Sequence, residues 1–132
     1  MDRAEINKYN KRKEDIMKVT YETIKDTLIV KIVGELDQHS AQFLRKELDK
    51  LILLGAKNLL LNLEELDFMD SSGIGVIIGR YKNVLTLGGV TAILNPKSQV
   101  EKIIRLSAID KIIPIYFDLD EALDNVRRNN VG

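Results

Sequence analysis

The run Leu59-Leu60-Leu61-Asn62-Leu63 restricts this chain more than any other stretch. It is almost continuously apolar and too short for a helix. A strand of that composition is buried on both faces, so the sheet that holds it needs cover on both sides. The flanking sequence supplies the cover. Ala41, Leu44, Leu48, Leu51 and Ile52 recur at helical spacing, with Arg45, Lys46, Glu47, Asp49 and Lys50 on the opposite side. That pattern predicts a helix over residues 40–54, with Ser40 as N-cap and Gly55 as the stop. Before it, Val19, Tyr21 and Thr23 alternate with polar residues, Asp26 marks a turn, and residues 27–33 (TLIVKIV) read as a second strand, hairpin-paired with the first. Gly34-Glu35-Leu36-Asp37 leaves that strand.

Downstream the alternation continues. Residues 64–75 read as a loop that opens a helix running to Leu87, which Gly88-Gly89 ends. Residues 90–94 form a buried strand, and residues 97–107 a helix with Val100, Ile103, Ile104 and Leu106 on its apolar side. Residues 112–117 are a last strand, which Pro114 makes an edge or irregular one. Asp118 caps a final helix carrying Leu119, Ala122, Leu123 and Val126. The order β-β-α-β-α-β-α-β-α is an α/β domain with right-handed parallel crossovers and an antiparallel first strand. The expectation is one domain with a mixed sheet of four to five strands and about four helices.

A length of 132 residues suits one core. Residues 1–16 stand apart as a charged extension or leader, with Arg3, Lys8, Lys11, Arg12 and Lys13 beside Asp2, Glu5, Glu14 and Asp15 and few apolar residues. The domain itself is read over residues 17–132. Lys+Arg and Asp+Glu are equal at 20 each, which lowers the prior for a nucleic-acid partner. No apolar run approaches the roughly 18 residues of a membrane span, and no apolar signal segment opens the chain. The expectation is a cytoplasmic protein with no membrane partner. The absence of Cys removes thiol catalysis and thiolate metal sites, and His39 is the single imidazole.

The stretch with chemical content is residues 68–81, FMDSSGIGVIIGRY. Asp70, Ser71 and Ser72 stand where a loop becomes a helix, and each can accept a hydrogen bond from free N–H groups there. Gly73 and Gly75 leave the helix start without side-chain cover. The helix is apolar almost all round, so some of Ile74, Val76 and Ile78 are expected on the surface as partner contacts. The bland alternative is that the polar residues are a cap and the glycines allow tight packing. A dinucleotide fingerprint fails on spacing, since Gly73, Gly75 and Gly79 give G-x-G-x-x-x-G, and no G-K-[ST] is present. A serine-hydrolase elbow fails because Asp70 stands where a glycine is needed before Ser72. Glu64, Glu65, Asp67 and Asp70 lack EF-hand spacing, so the expectation is no metal. A phosphoacceptor serine fits: a phosphate at a helix start meets free N–H groups and the positive end of the dipole, so it need not unfold its own domain.

On these residues the chain resembles the STAS-domain anti-sigma factor antagonists of bacterial sporulation and general-stress regulation. Gly34-Glu35-Leu36-Asp37 with His39-Ser40-Ala41 resembles one family segment. Leu61-Asn62-Leu63 through Phe68-Met69-Asp70-Ser71-Ser72-Gly73-Ile74-Gly75 and on to Gly79-Arg80-Tyr81 resembles the phosphorylation segment. The resemblance implies partner switching. The unphosphorylated protein binds an anti-sigma factor that is itself a serine kinase and so frees the sigma factor. Phosphorylation of Ser71 ends the binding, and a serine phosphatase restores it. ATP and Mg²⁺ belong to the kinase, so the chain itself has no cofactor and is no enzyme. In this scheme Asp70 orients the Ser71 hydroxyl or is a plain cap. Ser72 caps the helix or is itself the acceptor. Gly73, Ile74 and Gly75 meet the partner. Glu35, Asp37 and His39 lie at the same sheet end and either touch the partner or cap the first helix. The alternative is a STAS scaffold without a phosphorylation cycle, for which an accessible hydroxyl has no use.

Overall fold

The computed structural model describes residues 17–129; the charged extension over residues 1–16 lies outside the described residues. The elements are β1 (Met17–Ile24), β2 (Thr27–Leu36), α1 (Ala41–Ile52), β3 (Asn58–Asn62), β4 (Leu66–Met69), α2 (Ser71–Thr86), β5 (Thr91–Leu94), α3 (Ser98–Leu106), a 3-10 turn (Ile109–Lys111), β6 (Ile115–Tyr116) and α4 (Leu119–Arg128). They build one mixed sheet in the order β1-β2-β3-β5-β6, with β4 also on β2. Only β1 is antiparallel to its neighbour.

The two-sided burial inferred for residues 59–63 is what the sheet shows. Leu59 and Leu61 point, with Leu28, Val30, Ile32 and Ile93, into the larger core, where Leu44 and Leu48 of α1, Val76 and Ile77 of α2 and Ile104 of α3 close over them. Leu60 points the other way, with Ile29, Ala92 and Leu94, against Ala122 and Val126 of α4. Successive strand residues alternate between the faces, so an apolar run is needed wherever both are covered.

The segment expected as a loop holds a sixth strand. β2 pairs with β3 only as far as Lys31 opposite Asn62, and it continues to Leu36, past Val33 where it was expected to stop. Beyond Lys31 its flank is vacant, and after a short turn the chain returns as β4, pairing Glu35 with Phe68 and Leu36 with Met69. The register shifts between Gly34 and Glu35. Gly34 takes φ +117°, a conformation side chains rarely adopt, and donates its N–H to the Glu65 carbonyl at 3.1 Å. A four-residue strand with the burial pattern buried-exposed-exposed-buried carries no period-2 signal, which is why it escapes a sequence reading. The last strand is also shorter than expected. Residues 109–111 form the 3-10 turn, and only Ile115–Tyr116 pairs with β5. Pro114 has no N–H to donate, but its carbonyl accepts from Ile93 at 2.9 Å.

Because α1, α2, α3 and α4 each follow a parallel strand, all four start at one end of the sheet and run back to the other. The starting end is where the residues singled out from the sequence gather.

Candidate functional site

Two strand ends lie side by side at that end. Asp70 donates its N–H to the Leu36 carbonyl at 3.2 Å, extending the β2–β4 pairing to the point where both chains turn into helices. Asp37 and Asp70 thus occupy equivalent places after neighbouring strands; Asp70 caps α2, and Asp37 stands three residues before Ser40, the cap position of α1.

Asp70 is the N-cap of α2. Its backbone is extended, and its Oδ1 accepts from the Ser72 N–H at 2.8 Å. Of the two roles read for Asp70, the structure shows the cap. Ser72 is therefore the capped residue, not the cap, and it is half-buried. Ser71, the first residue of α2, is exposed, and its hydroxyl has no hydrogen-bond partner among the described residues.

Before α1, Ser40 holds the cap position as expected, but the side-chain acceptor of the preceding turn is Asp37. Asp37 Oδ1 accepts from the N–H of His39 at 2.8 Å and of Ser40 at 3.0 Å. Ser40 makes no cap bond; it is buried, donating its Oγ to the Glu35 carbonyl at 2.7 Å and accepting from the Asp37 N–H at 3.1 Å. The helix thus begins at Ala41, and the turn before it is closed by the Asp37 carboxylate rather than by the Ser40 hydroxyl. His39 is exposed on this turn, and Glu35 is exposed beside Phe68.

The two glycines expected to open α2 to a partner behave differently. Gly75 is exposed, and a Cβ there would meet nothing within 4 Å. Gly73 is buried, and a Cβ would stand 2.5 Å from Met69 Cγ and 2.7 Å from Leu36 Cγ. Gly73 therefore seats the first turn of α2 on the ends of β2 and β4, and it offers no surface. The exposed apolar stripe expected on α2 is likewise corrected. Val76 is fully buried, and Ile74 and Ile78 are half-buried against the core. The outward face near the helix start consists of Ser71, Gly75 and the edges of Ile74 and Ile78.

Three features of the site were not visible in the sequence pattern. Phe68, read as part of a loop, is 46% exposed on β4 at the rim. Lys97, at the start of α3, pairs with Asp67 at 2.5 Å, and Gln99 donates to the Asp67 carbonyl at 3.1 Å, tying β4 to α3. Arg80 lies buried under α1, its Nε 3.1 Å from Asp49 Oδ1, and so locks α2 to α1. The last two join residues about thirty positions apart, a separation that local periodicity does not report. Below the rim Lys31 pairs with Glu65 and, at 3.8 Å, with Glu64; the bond to Glu65 holds its ammonium above the ordinary lysine value. Among the described residues no group of three or more metal-ligating side chains could hold a metal ion, and no helix is long and apolar enough to cross a membrane.

The geometry has close parallels. The family model for the STAS domain matches residues 18–122. The anti-sigma F factor antagonist of Paenibacillus polymyxa is 38% identical over 101 residues, covering 76% of this chain and 86% of that protein. The structure of the anti-sigma factor antagonist SpoIIAA in its unphosphorylated form superposes with a TM-score of 0.71 at 32% identity, over 84% of this chain and 97% of that one. The phosphorylated form of the Bacillus cell-fate determinant SpoIIAA superposes with a TM-score of 0.64 at 31% identity, over 83% of this chain and all of that one. On sequence, fold and the paired strand ends that carry Asp37 and Asp70, the chain belongs to the STAS-domain family of anti-sigma factor antagonists.

Proposed function

We propose that this protein is a phosphorylation-switched antagonist. Its unphosphorylated form binds an anti-sigma factor with serine kinase activity and so frees a sigma factor; transfer of a phosphoryl group to Ser71 ends that binding, and a serine phosphatase reverses it. One observation carries the reading: Ser71 is exposed at the first position of a helix whose cap is already supplied by Asp70, so its hydroxyl has no structural duty among the described residues. The similarity to SpoIIAA, a protein with structures in unphosphorylated and phosphorylated forms, supports it.

The chemistry of the switch follows from the site. A phosphate on Ser71 adds roughly −1.5 to −2 charge where the α2 dipole and its free N–H groups favour an anion, so the fold survives. The same charge stands next to Asp70 and, across the β2–β4 pair, near Asp37. A partner that closes over this corner must desolvate the dianion among carboxylates, at a cost of several kcal/mol. Gly75 leaves the backbone open to close approach, and on this reading Ser72, Ile74, Glu35, Asp37 and His39 meet the partner.

The test is mass spectrometry of the chain after incubation with its cognate kinase and ATP, alongside Ser71→Ala. Phosphate is expected on Ser71 alone and none on the variant. Incorporation at an undiminished rate in Ser71→Ala would overturn the assignment. Ser71→Asp should weaken partner binding at least about tenfold, or 1.4 kcal/mol, by calorimetry. An unchanged affinity would remove charge as the basis of the switch.

A further inference from the structure

Strand β1 forms one outer edge of the sheet, and among the described residues it pairs with β2 alone. Its eight residues, MKVTYETI, run in unbroken register from Met17 opposite Gly34 to Ile24 opposite Thr27. Thr20 to Ile24 are all exposed, and Tyr21 keeps 54% of its surface open. A long open edge is a template for another strand, and chains that must stay single blunt it with proline, a bulge or a short strand. β1 has none of these. It carries two charges, Lys18 and Glu22, and neither has an ion-pair partner among the described residues.

The free hydrogen-bonding groups of this edge can be assigned. Gly34, opposite Met17, donates its N–H to the Glu65 carbonyl on the far flank of β2, so the Met17–Gly34 pair is not hydrogen-bonded. Bonded and open pairs alternate along an antiparallel ladder. Lys18, Thr20 and Glu22 therefore bond to β2, while Met17, Val19, Tyr21 and Thr23 turn their N–H and C=O groups outward. The two-residue turn Lys25-Asp26 agrees, since such a turn closes on a bonded pair, here Ile24 and Thr27.

A second copy can meet this edge antiparallel, about a two-fold axis normal to the sheet. Residues opposite each other must share a face, so the axis passes a residue that faces itself. With Thr20 at the axis, Lys18 stands opposite Glu22 of the second copy, Val19 opposite Tyr21 and Met17 opposite Thr23. The outward-turned residues then meet one another and can form the ladder. The Lys18–Glu22 pairs fall at its non-bonded positions, where side chains come closest. Val19 and Tyr21 make an aromatic and β-branched pair, and every pair occurs twice. Other centres lose the charge match. Centring on Glu22 sets two glutamates against each other, and centring on Tyr21 or Val19 leaves Lys18 opposite Ile24 or Thr20.

We propose that this protein pairs with a second copy of itself through β1, in the register centred on Thr20, to give one continuous sheet. The two β2 strands then run in opposite directions, so the two Ser71 corners lie at opposite ends of the joined sheet and both stay open to a partner. That consequence rests on the proposed function; the pairing does not.

Sedimentation equilibrium of the full chain between about 5 and 500 µM should show the mass climbing from that of one chain toward that of two. Lys18→Glu and Glu22→Lys, each alone, set like charges opposite at two places and should weaken association at least about tenfold. An equal mixture of these two variants restores both pairs between unlike chains, so association should return as a heterodimer. Tyr21→Pro removes an outward N–H, leaves the bonds from β1 to β2 in place and should abolish the dimer. A mass that stays at one chain throughout would overturn the proposal. So would charge variants that associate as the parent does, which would put the contact on another face, or a mixture that stays monomeric. No kinase or anti-sigma factor enters the experiment, so its failure and the failure of the Ser71 assignment are read separately.

Discussion

Gly73→Ala and Gly75→Ala should shift stability in opposite directions, although the two glycines lie two residues apart on one helix. An alanine Cβ at position 73 would stand 2.5 Å from Met69 Cγ and 2.7 and 2.8 Å from Leu36 Cγ and Cδ2, distances that real Cβ atoms essentially never show. Both neighbours are buried, Leu36 at 0% and Met69 at 2% exposure, so neither can swing into solvent. Overpacking of this kind costs about 1–3 kcal/mol. Replacing a helical glycine by alanine returns at most about 1 kcal/mol through backbone entropy, less in the first turn. The net expectation for Gly73→Ala is a loss of about 1–2 kcal/mol. At position 75 nothing stands within 4 Å, only the entropic gain operates, and stability should rise by about 0.5–1 kcal/mol. For a domain of this size 1 kcal/mol moves the midpoint by about 4 °C. Urea and thermal unfolding followed by circular dichroism separate the pair. A neutral or stabilising Gly73→Ala would refute the claim that the α2 start is pressed onto the ends of β2 and β4, and with it the account of how Asp70 and Ser71 are held. The same two proteins serve a binding assay: Gly75→Ala should stay folded yet bind the anti-sigma partner more weakly, because the added methyl group projects into the proposed interface.

Asp70→Ala removes the acceptor of the Ser72 N–H and should cost about 1 kcal/mol in urea unfolding; no loss would show that the cap contributes nothing. Asp49→Ala leaves the buried Arg80 guanidinium without its ion pair. Because Asp49 is itself 47% exposed, the expected loss is about 1–3 kcal/mol rather than the larger figure for a fully buried pair, and a double replacement with Arg80→Met should recover part of it. Alkaline pH should weaken the fold. Burial, reinforced by Glu121, raises the Tyr116 pKa, and Glu65 raises that of Lys31. In both cases the folded chain holds its proton more tightly than the unfolded one. That contribution is intact below the unfolded values of about 10 and is lost as pH climbs through the folded ones. The urea midpoint should stay level between about pH 7 and 9 and fall above about 10; a midpoint unchanged to about pH 11 would contradict it.

Much of this architecture follows from sequence periodicity. Leu59 to Leu63 demanded a strand covered on both faces, and Ala41, Leu44, Leu48 and Ile52 demanded a helix beside it; these are requirements of burial that any fold of this chain must meet. The Asp70-Ser71-Ser72 helix start was legible too, because a cap is a local device with its own residue preferences. Tertiary structure decided the rest: the contacts behind β4 and Gly73 join residues far apart in the chain, and even the short-range turn before α1 depends on how β2 ends. β4 exists because β2 outruns β3 and leaves a flank to fill. Gly73 is closed to a partner because Leu36, from another strand, lies against it, while Gly75, with the same local sequence character, stays open. Asp37 displaces Ser40 as the acceptor at the α1 start because the Ser40 hydroxyl is drawn to the Glu35 carbonyl at the strand end. Periodicity tells which side of an element must be buried. Which neighbour buries it, and so which residues of a motif are left to meet another molecule, is set only when the strands pair.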